Sequence, residues 1–195
     1  TSLGFVSDHE FFEKVAGDQG EQFNSLINNH PYLKKRFGTS KKIFEPRKLE
    51  GWSTKTEKFY GKGFVLTGNV TEFLDPVFSS GVMFATVSSH LATKLVIKKL
   101  KGLSVDWQME YSNELKAGVD TFKAFVMAWY DGTLETIFYH KDQDPLAKKQ
   151  ITSILAGYVW DQNNPFVKNP DAELKRLVKM INFEKFRSIS ADGNG

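Results

Sequence analysis

The sequence predicts an α+β fold, mostly helical, with a few strands ahead of the helices. Three observations carry this. Trp107, Tyr111, Leu115, Phe122, Val126 and Trp129 fall on one helical stripe. Asp144-Pro145 and Asn169-Pro170 each put a cap residue before a proline suited to the first helical position. Residues 48–67 read instead as extended chain, with Leu49, Trp52, Thr54, Thr56, Phe59 and Tyr60 leading into a Gly61-Lys62-Gly63 turn.

Taken in order, Thr1–Ser7 reads as the end of a strand entering a helix, and Ser7-Asp8-His9-Glu10 fits a capping box. Phe11, Phe12, Val15, Phe23, Leu26 and Ile27 supply a broken apolar stripe, interrupted near Gly17 and Gly20. Pro31 starts a short helix through Phe37. Phe64-Val65-Leu66-Thr67, fully apolar up to its threonine and ending at Gly68, predicts a buried strand. Leu74-Asp75-Pro76 bends the chain. From Ser79 or Ser80 through Leu100 a long apolar run predicts a buried helix, whose small residues Gly81, Ala85, Ser88, Ser89 and Ala92 suit close packing on a sheet. His90 and Lys94 interrupt that run, which argues against a membrane span, and His90 reads as a core histidine. Ser104 is the expected cap of the next helix, which ends at Asp131-Gly132, and Ser188–Gly195 is expected to fray.

Composition narrows the function classes. The 195 residues contain no cysteine, which excludes disulfides, thiolate zinc sites, iron–sulfur clusters and a cysteine nucleophile within them. Aromatics reach 14%, so either the core is ring-rich or some rings line a site for a flat ligand. The N-terminal residues show no basic segment followed by an apolar one, and a cytoplasmic protein is the expectation. The net charge of +3 is uneven: residues 31–101 carry fourteen Lys/Arg against five acids. That surplus suits either solvated faces or an anionic partner, but no nucleic-acid motif accompanies it. His9-Glu10-x-x-Glu13 has a glutamate where a zinc helix needs its second histidine, so no metal site is expected. Ser79, Ser80, His90 and Asp75 lack the elbow motif a serine triad would need.

The strand–bend–helix from Phe64 to Leu95 is the most informative segment. A strand ending in Gly68 brings bare backbone close to whatever lies beyond it, and Asn69 adds a polar side chain there. Asp75-Pro76 fixes a turn, and Ser79-Ser80-Gly81 opens a helix whose free N–H groups suit an anion or an electron-rich ring edge. An ordinary capped helix after an ordinary strand accounts for the same residues.

Leu74-Asp75-Pro76-Val77-Phe78-Ser79-Ser80-Gly81-Val82 resembles the second flavin-binding motif of FAD-dependent oxidoreductases. The resemblance is greatest to flavin-dependent halogenases of the phenol and pyrrole type. It extends to flavoprotein dehydrogenases and monooxygenases of the geranylgeranyl-reductase kind, and reaches diffusely over residues 2–141. It implies a cofactor-binding set of Gly68, Asn69, Asp75, Pro76, Ser79, Ser80 and Gly81, with FAD as the cofactor. Asn69 stands where the family has an aspartate that hydrogen-bonds the ribityl chain, keeping the bond and losing the charge. The N–H groups from Ser79 to Gly81 would face the pyrimidine edge of the flavin and stabilise its reduced form. Trp52, Tyr60 and Phe78 are the candidates for a substrate cavity. Tryptophan halogenases carry a catalytic glutamate at the Phe78 position, so that mechanism is not expected, and no catalytic residue is assigned.

The family opens on a strand–GxGxxG–helix unit that this sequence lacks. The expectation is therefore the C-terminal segment of a longer oxidoreductase, halogenase-like or monooxygenase-like, inactive alone and binding FAD only in the complete protein. Residues 1–67 would end a substrate-domain sheet, residues 68–102 form the flavin-edge turn and buried helix, and residues 103–195 a helical cap. Its partners would be the upstream GxGxxG half, a small apolar or aromatic substrate, and a flavin reductase or NAD(P)H. The competing expectation is a non-catalytic helical module that keeps a flavoprotein scaffold to bind another chain.

Overall fold

Cap chemistry sets most of the element boundaries. The structure, a computed structural model, describes residues 1–51 and 53–192 and forms two compact units, Thr1–Gly51 and Trp52–Gly195. In the first unit, Asp8 caps α1 (His9–Glu13), accepting from the Phe11 N–H at 2.7 Å. The capping box expected at Ser7–Glu10 is therefore displaced, because the Asp8 carboxylate takes the helix end one residue later. A complete box occurs instead on α2 (Gln19–Asn29), where Asp18 and Glu21 each accept the other's backbone N–H at 2.9 Å. Thr1–Ser7 is irregular rather than a strand, having no strand beside it among the described residues of this unit. Gln22 Nε2 donates to the Val15 carbonyl at 2.7 Å, joining α2 to the end of α1, and Phe5 meets Phe23 edge-on. Helix α3 (Pro31–Phe37) begins on its proline as predicted.

The second unit opens with short strands. β1 (Thr54–Lys55) pairs antiparallel with β4 (Glu72–Phe73), and β2 (Tyr60–Gly61) forms a hairpin with β3 (Phe64–Val65). The strand expected over Phe64–Thr67 is thus only two residues long, and Phe64 is 51% exposed. Gly63, at φ +86°, closes a tight hairpin in which side chains alternate between faces, so one of each pair meets solvent. The buried ring is Phe59, 1% exposed.

After β3 a 3-10 turn, Gly68–Val70, leads to β4, a bend, and the long helix α4 (Ser80–Leu100). Helix α4 is buried along one stripe, Ser80, Phe84, Ser88, Ala92 and Leu95. The opposite side is not covered: Val82 and Leu100 are 79% and 82% exposed, and His90, expected in the core, is exposed as well. A helix in a layered fold offers one face to the core, and apolar composition alone does not say how much of it is covered. By length and composition α4 is the one helix among the described residues able to cross a membrane. Its small residues pack on the 3-10 turn rather than on a sheet. The Gly68 N–H donates to Ser88 Oγ at 2.8 Å, and a Cβ on Gly68, at φ +69°, would lie 3.4 Å from that of Ala85.

Asp106, not Ser104, starts the next helical run, accepting from the Gln108 and Met109 N–H groups at 3.0 Å. A π-helical stretch, Gln108–Asn113, leads into α5 (Glu114–Tyr130). The predicted stripe is core: Tyr111, Leu115 and Phe122 are at most 1% exposed, and Phe122 meets both Phe78 and Phe84 edge-on. Helices α6 (Thr133–Phe138), α7 (Pro145–Leu155), α8 (Pro165–Lys168) and α9 (Pro170–Asp192) complete the unit. The sequence reading did not separate α6 or α8, although Asn164-Pro165 carries the same cap-plus-proline signal as its neighbours. Asn164 is 4% exposed, accepts from the Phe166 N–H and donates to the Gln150 carbonyl. Residues 188–192, expected to fray, continue α9, and residues 193–195 lie outside the described residues.

Two contacts of α5 yield predictions. Trp160 donates from Nε1 to the Glu114 carbonyl at 2.8 Å and lays its indole where a Cβ on Gly118 would sit. Gly118→Ala gains about 1 kcal/mol of helix propensity, yet forcing the ring away costs roughly 1–3 kcal/mol or more. The clash wins, and the melting temperature should fall; a rise would remove Trp160 from this role. Tyr111 donates its hydroxyl to the Leu66 carbonyl, and burial pushes its phenol from 10.0 up to about 12, against a smaller opposite pull from Ser88. A phenol with a raised folded pKa keeps its contribution below the unfolded value and loses it as pH climbs through the folded one. Stability should therefore hold to about pH 10 and decline toward pH 12. In melting curves across that window, Tyr111→Phe should flatten the decline, and an unchanged slope would count against the assignment.

Candidate functional site

An open groove of about 530 Å³ lies between the 3-10 turn, the bend and the start of α4. It is lined by Asn69 of the turn and Phe73 of β4, by Asp75, Pro76 and Ser79 of the bend, and by Gly81, Val82 and Ala85 of α4. The turn and the bend are irregular backbone. In the 3-10 turn, Thr71 Oγ1 donates back to the Gly68 carbonyl at 2.7 Å while Ser88 takes the Gly68 N–H. Both bonds satisfy buried backbone groups that a longer strand would have paired.

The bend is held by Asp75. Its carboxylate is 4% exposed and accepts from the Val77 N–H at 2.6 Å and from the Tyr130 hydroxyl at 2.5 Å. Burial, then the hydrogen bond to Asp75 and its charge, push the Tyr130 phenol upward. Among the described residues no Lys or Arg pairs with Asp75, so hydrogen-bond donors alone carry this buried charge. The turn ends on Ser79, the only non-glycine among the described residues with positive φ, at 54°. That left-handed conformation costs on the order of 1–3 kcal/mol, and it delivers the chain into α4 with no side chain capping the helix. The first-turn N–H groups of a 21-residue helix are thus left without a side-chain partner at the groove.

The sequence-predicted set is largely brought together. Asn69, Asp75, Pro76, Ser79 and Gly81 line the groove, while Gly68 and Ser80 are buried in its walls. A Cβ on Gly81 would stand 3.1 Å from Asn69 Oδ1 and 3.7 Å from the Phe73 ring, so the bare backbone there lets the Asn69 amide lie over the helix start. The substrate-cavity candidates do not join this site. Phe78 turns into the core, edge-on to Phe122 and Trp129, because its ring finds apolar neighbours there. Tyr60 stacks on Trp107 and reaches Gln108 Oε1 at 3.2 Å, and neither ring lines the groove. Trp52 lies outside the described residues. Sequence reasoning placed Tyr111 on the core stripe but missed its hydroxyl role, and it missed Tyr130 as a site residue, because nothing in their spacing marks a hydroxyl partner.

The groove has no basic side chain, and its one acid is already engaged. What it offers is a helix N-terminus, an amide at Asn69 and apolar surface from Phe73, Pro76, Val82 and Ala85. Those donors fit the electron-rich edge of a flat heterocycle, and the bare Gly81 admits one closely.

Residues 29–172 match the family described as tryptophan halogenase. The chain is 26% identical over 162 residues to the 1H-pyrrole-2-carbonyl-(peptidyl-carrier protein) chlorinase of Pseudomonas fluorescens, covering 82% of this chain and 36% of that protein. To the corresponding brominase of Pseudoalteromonas luteoviolacea it is 24% identical over 164 residues, covering 82% and 39%. The crystal structure of a flavoprotein/dehydrogenase from Cytophaga hutchinsonii superposes with a TM-score of 0.87 at 45% identity, over 91% of this chain and 44% of that one. The chain thus spans well under half the length of these relatives. The family match takes in all of the groove as well as the helices that hold it, and the chain belongs to the tryptophan halogenase family.

Proposed function

We propose that these residues form one wall of the FAD site in a longer flavin-dependent oxidoreductase, halogenase-like or monooxygenase-like, and help close its substrate cavity. The observation that carries this reading is the uncapped start of α4 opening on a groove lined by Asn69, Asp75, Pro76, Ser79 and Gly81. That the 45%-identical structural neighbour is a flavoprotein supports it. The shares of 36–44% that the chain covers in its relatives support a role as part of a larger protein. Its partners are then a GxGxxG half that cradles the pyrophosphate, a flavin reductase or NAD(P)H, and an apolar or aromatic substrate. The names of the pyrrole chlorinase and brominase support a pyrrole-like ring as that substrate.

When bound, FAD supplies the redox chemistry. The α4 N–H groups donate to the ring edge and favour negative charge there. Asn69 hydrogen-bonds the polyol without adding a charge. Gly81 would let the backbone approach, and Phe73, Pro76 and Val82 would offer apolar surface to the ring. Phe78 presents no acid or base, so the reacting proton is handled by a group other than this position. The uncovered side of α4, with Val82, Ile97 and Leu100 exposed, favours a second reading in which the chain is a non-catalytic module that docks another protein.

FAD titration of the full-length protein, followed by flavin absorbance, separates the two. Tight uptake is expected, and Gly81→Ala should weaken it roughly tenfold, about 1.4 kcal/mol, as the new Cβ presses on Asn69. A colourless protein that takes up no FAD would overturn the flavin reading in favour of the docking module.

A further inference from the structure

The turn that aims α4 has no covalent or ionic anchor of its own. Asp75 is buried, and its proline neighbour has no N–H to give. The carboxylate therefore depends on the Val77 N–H from within the turn and on one donor from outside it, the Tyr130 hydroxyl. Tyr130 is the last residue of α5, the helix most deeply set in the core. Its ring is 46% exposed while its hydroxyl reaches inward to Asp75 Oδ2 at 2.5 Å. Without that hydroxyl a buried carboxylate oxygen loses a short, charge-assisted donor, and hydrating it would require the turn to swing outward. The segment that would swing includes Ser79, already held in the left-handed conformation, and it leads directly into the first N–H groups of α4.

We propose that Tyr130 is a positioning residue. By holding Asp75 it fixes the Asp75–Ser79 turn and aims the α4 N-terminus at the bound ring edge. This rests on the flavin reading above. Tyr130 does not itself line the groove; its hydroxyl meets the lining at Asp75, so its effect passes through that carboxylate.

Tyr130→Phe is a clean variant, because the ring is half exposed and keeps its place when only the hydroxyl is removed. Asn164→Ala serves as the control, since it severs a buried tether elsewhere, between the start of α8 and α7, whose bonds go to the Gln150 carbonyl, Ser153 Oγ and the Phe166 N–H and to no groove residue. The full-length protein is measured three ways: amide hydrogen exchange at Val77, FAD affinity, and the midpoint potential of the bound flavin. Tyr130→Phe is expected to speed exchange at Val77, weaken FAD roughly tenfold and shift the potential to more negative values, as the helix end stabilises reduced flavin less well. Asn164→Ala is expected to lower the melting temperature while leaving all three readings at their wild-type values. If Tyr130→Phe only lowers the melting temperature, with exchange at Val77, affinity and potential unchanged, the positioning role is overturned and the flavin reading stands. If the wild-type protein binds no FAD, the flavin reading is overturned and the positioning role falls with it, whatever the exchange data show.

Discussion

Between Leu66 and Ser79 the chain passes in and out of the core with little regular structure, and its buried polar groups must find partners. A strand of normal length would have met that demand through a ladder. Here the pairing stops after two residues of β3, so the demand passes to side chains on the two long helices. Ser88 of α4 takes the Gly68 N–H, the Tyr111 hydroxyl of the π-helical entry to α5 caps the Leu66 carbonyl, and Tyr130 at the far end of α5 holds Asp75. These three side chains tether the irregular segment that runs along the groove to the two helices.

The aromatic core makes that arrangement rigid. Tyr111 and Tyr130 stand at opposite ends of one helical run, and the rings between them are locked by edge-on contacts to Phe78 and Phe84. One hydroxyl of this run reaches the Leu66 carbonyl, ahead of the 3-10 turn, and the other reaches Asp75 in the groove lining. The same packing explains why Phe78 is unavailable to a substrate. Its neighbours in the turn face the groove, but its ring is worth more in the core, where burial of a phenylalanine contributes about 1.5–3 kcal/mol.

Strain and charge are concentrated where the chemistry is proposed. Ser79 adopts a glycine-like conformation, and Asp75 carries a buried charge balanced by donors instead of a cation. Natural chains retain such features when the surrounding structure over-determines them, and here Tyr130, Val77 and the helix itself do so. The exposed side of α4 belongs to the same picture. Helix α4 starts at the groove and leaves Val82, Val96, Ile97 and Leu100 exposed along its length.

Much of this was legible in the amino-acid order because it depends on local chemistry. Prolines after cap residues start α3, α7 and α9 where expected, Asp131-Gly132 ends α5, and the run from Asp75 to Gly81 marks a turn into a helix. Cap positions slipped by a residue or two where carboxylates competed with serines, as Asp8 and Asp106 show. What the order could not determine was which distant groups meet. The Asp75 partner lies 55 residues away and the Leu66 partner 45, and a tyrosine on an apolar stripe looks the same whether its hydroxyl is satisfied by protein or by water. The shortness of the strands, the outward turn of His90 and the inward turn of Phe78 were likewise decided by tertiary packing, because burial is shared among neighbours that only the folded chain brings together.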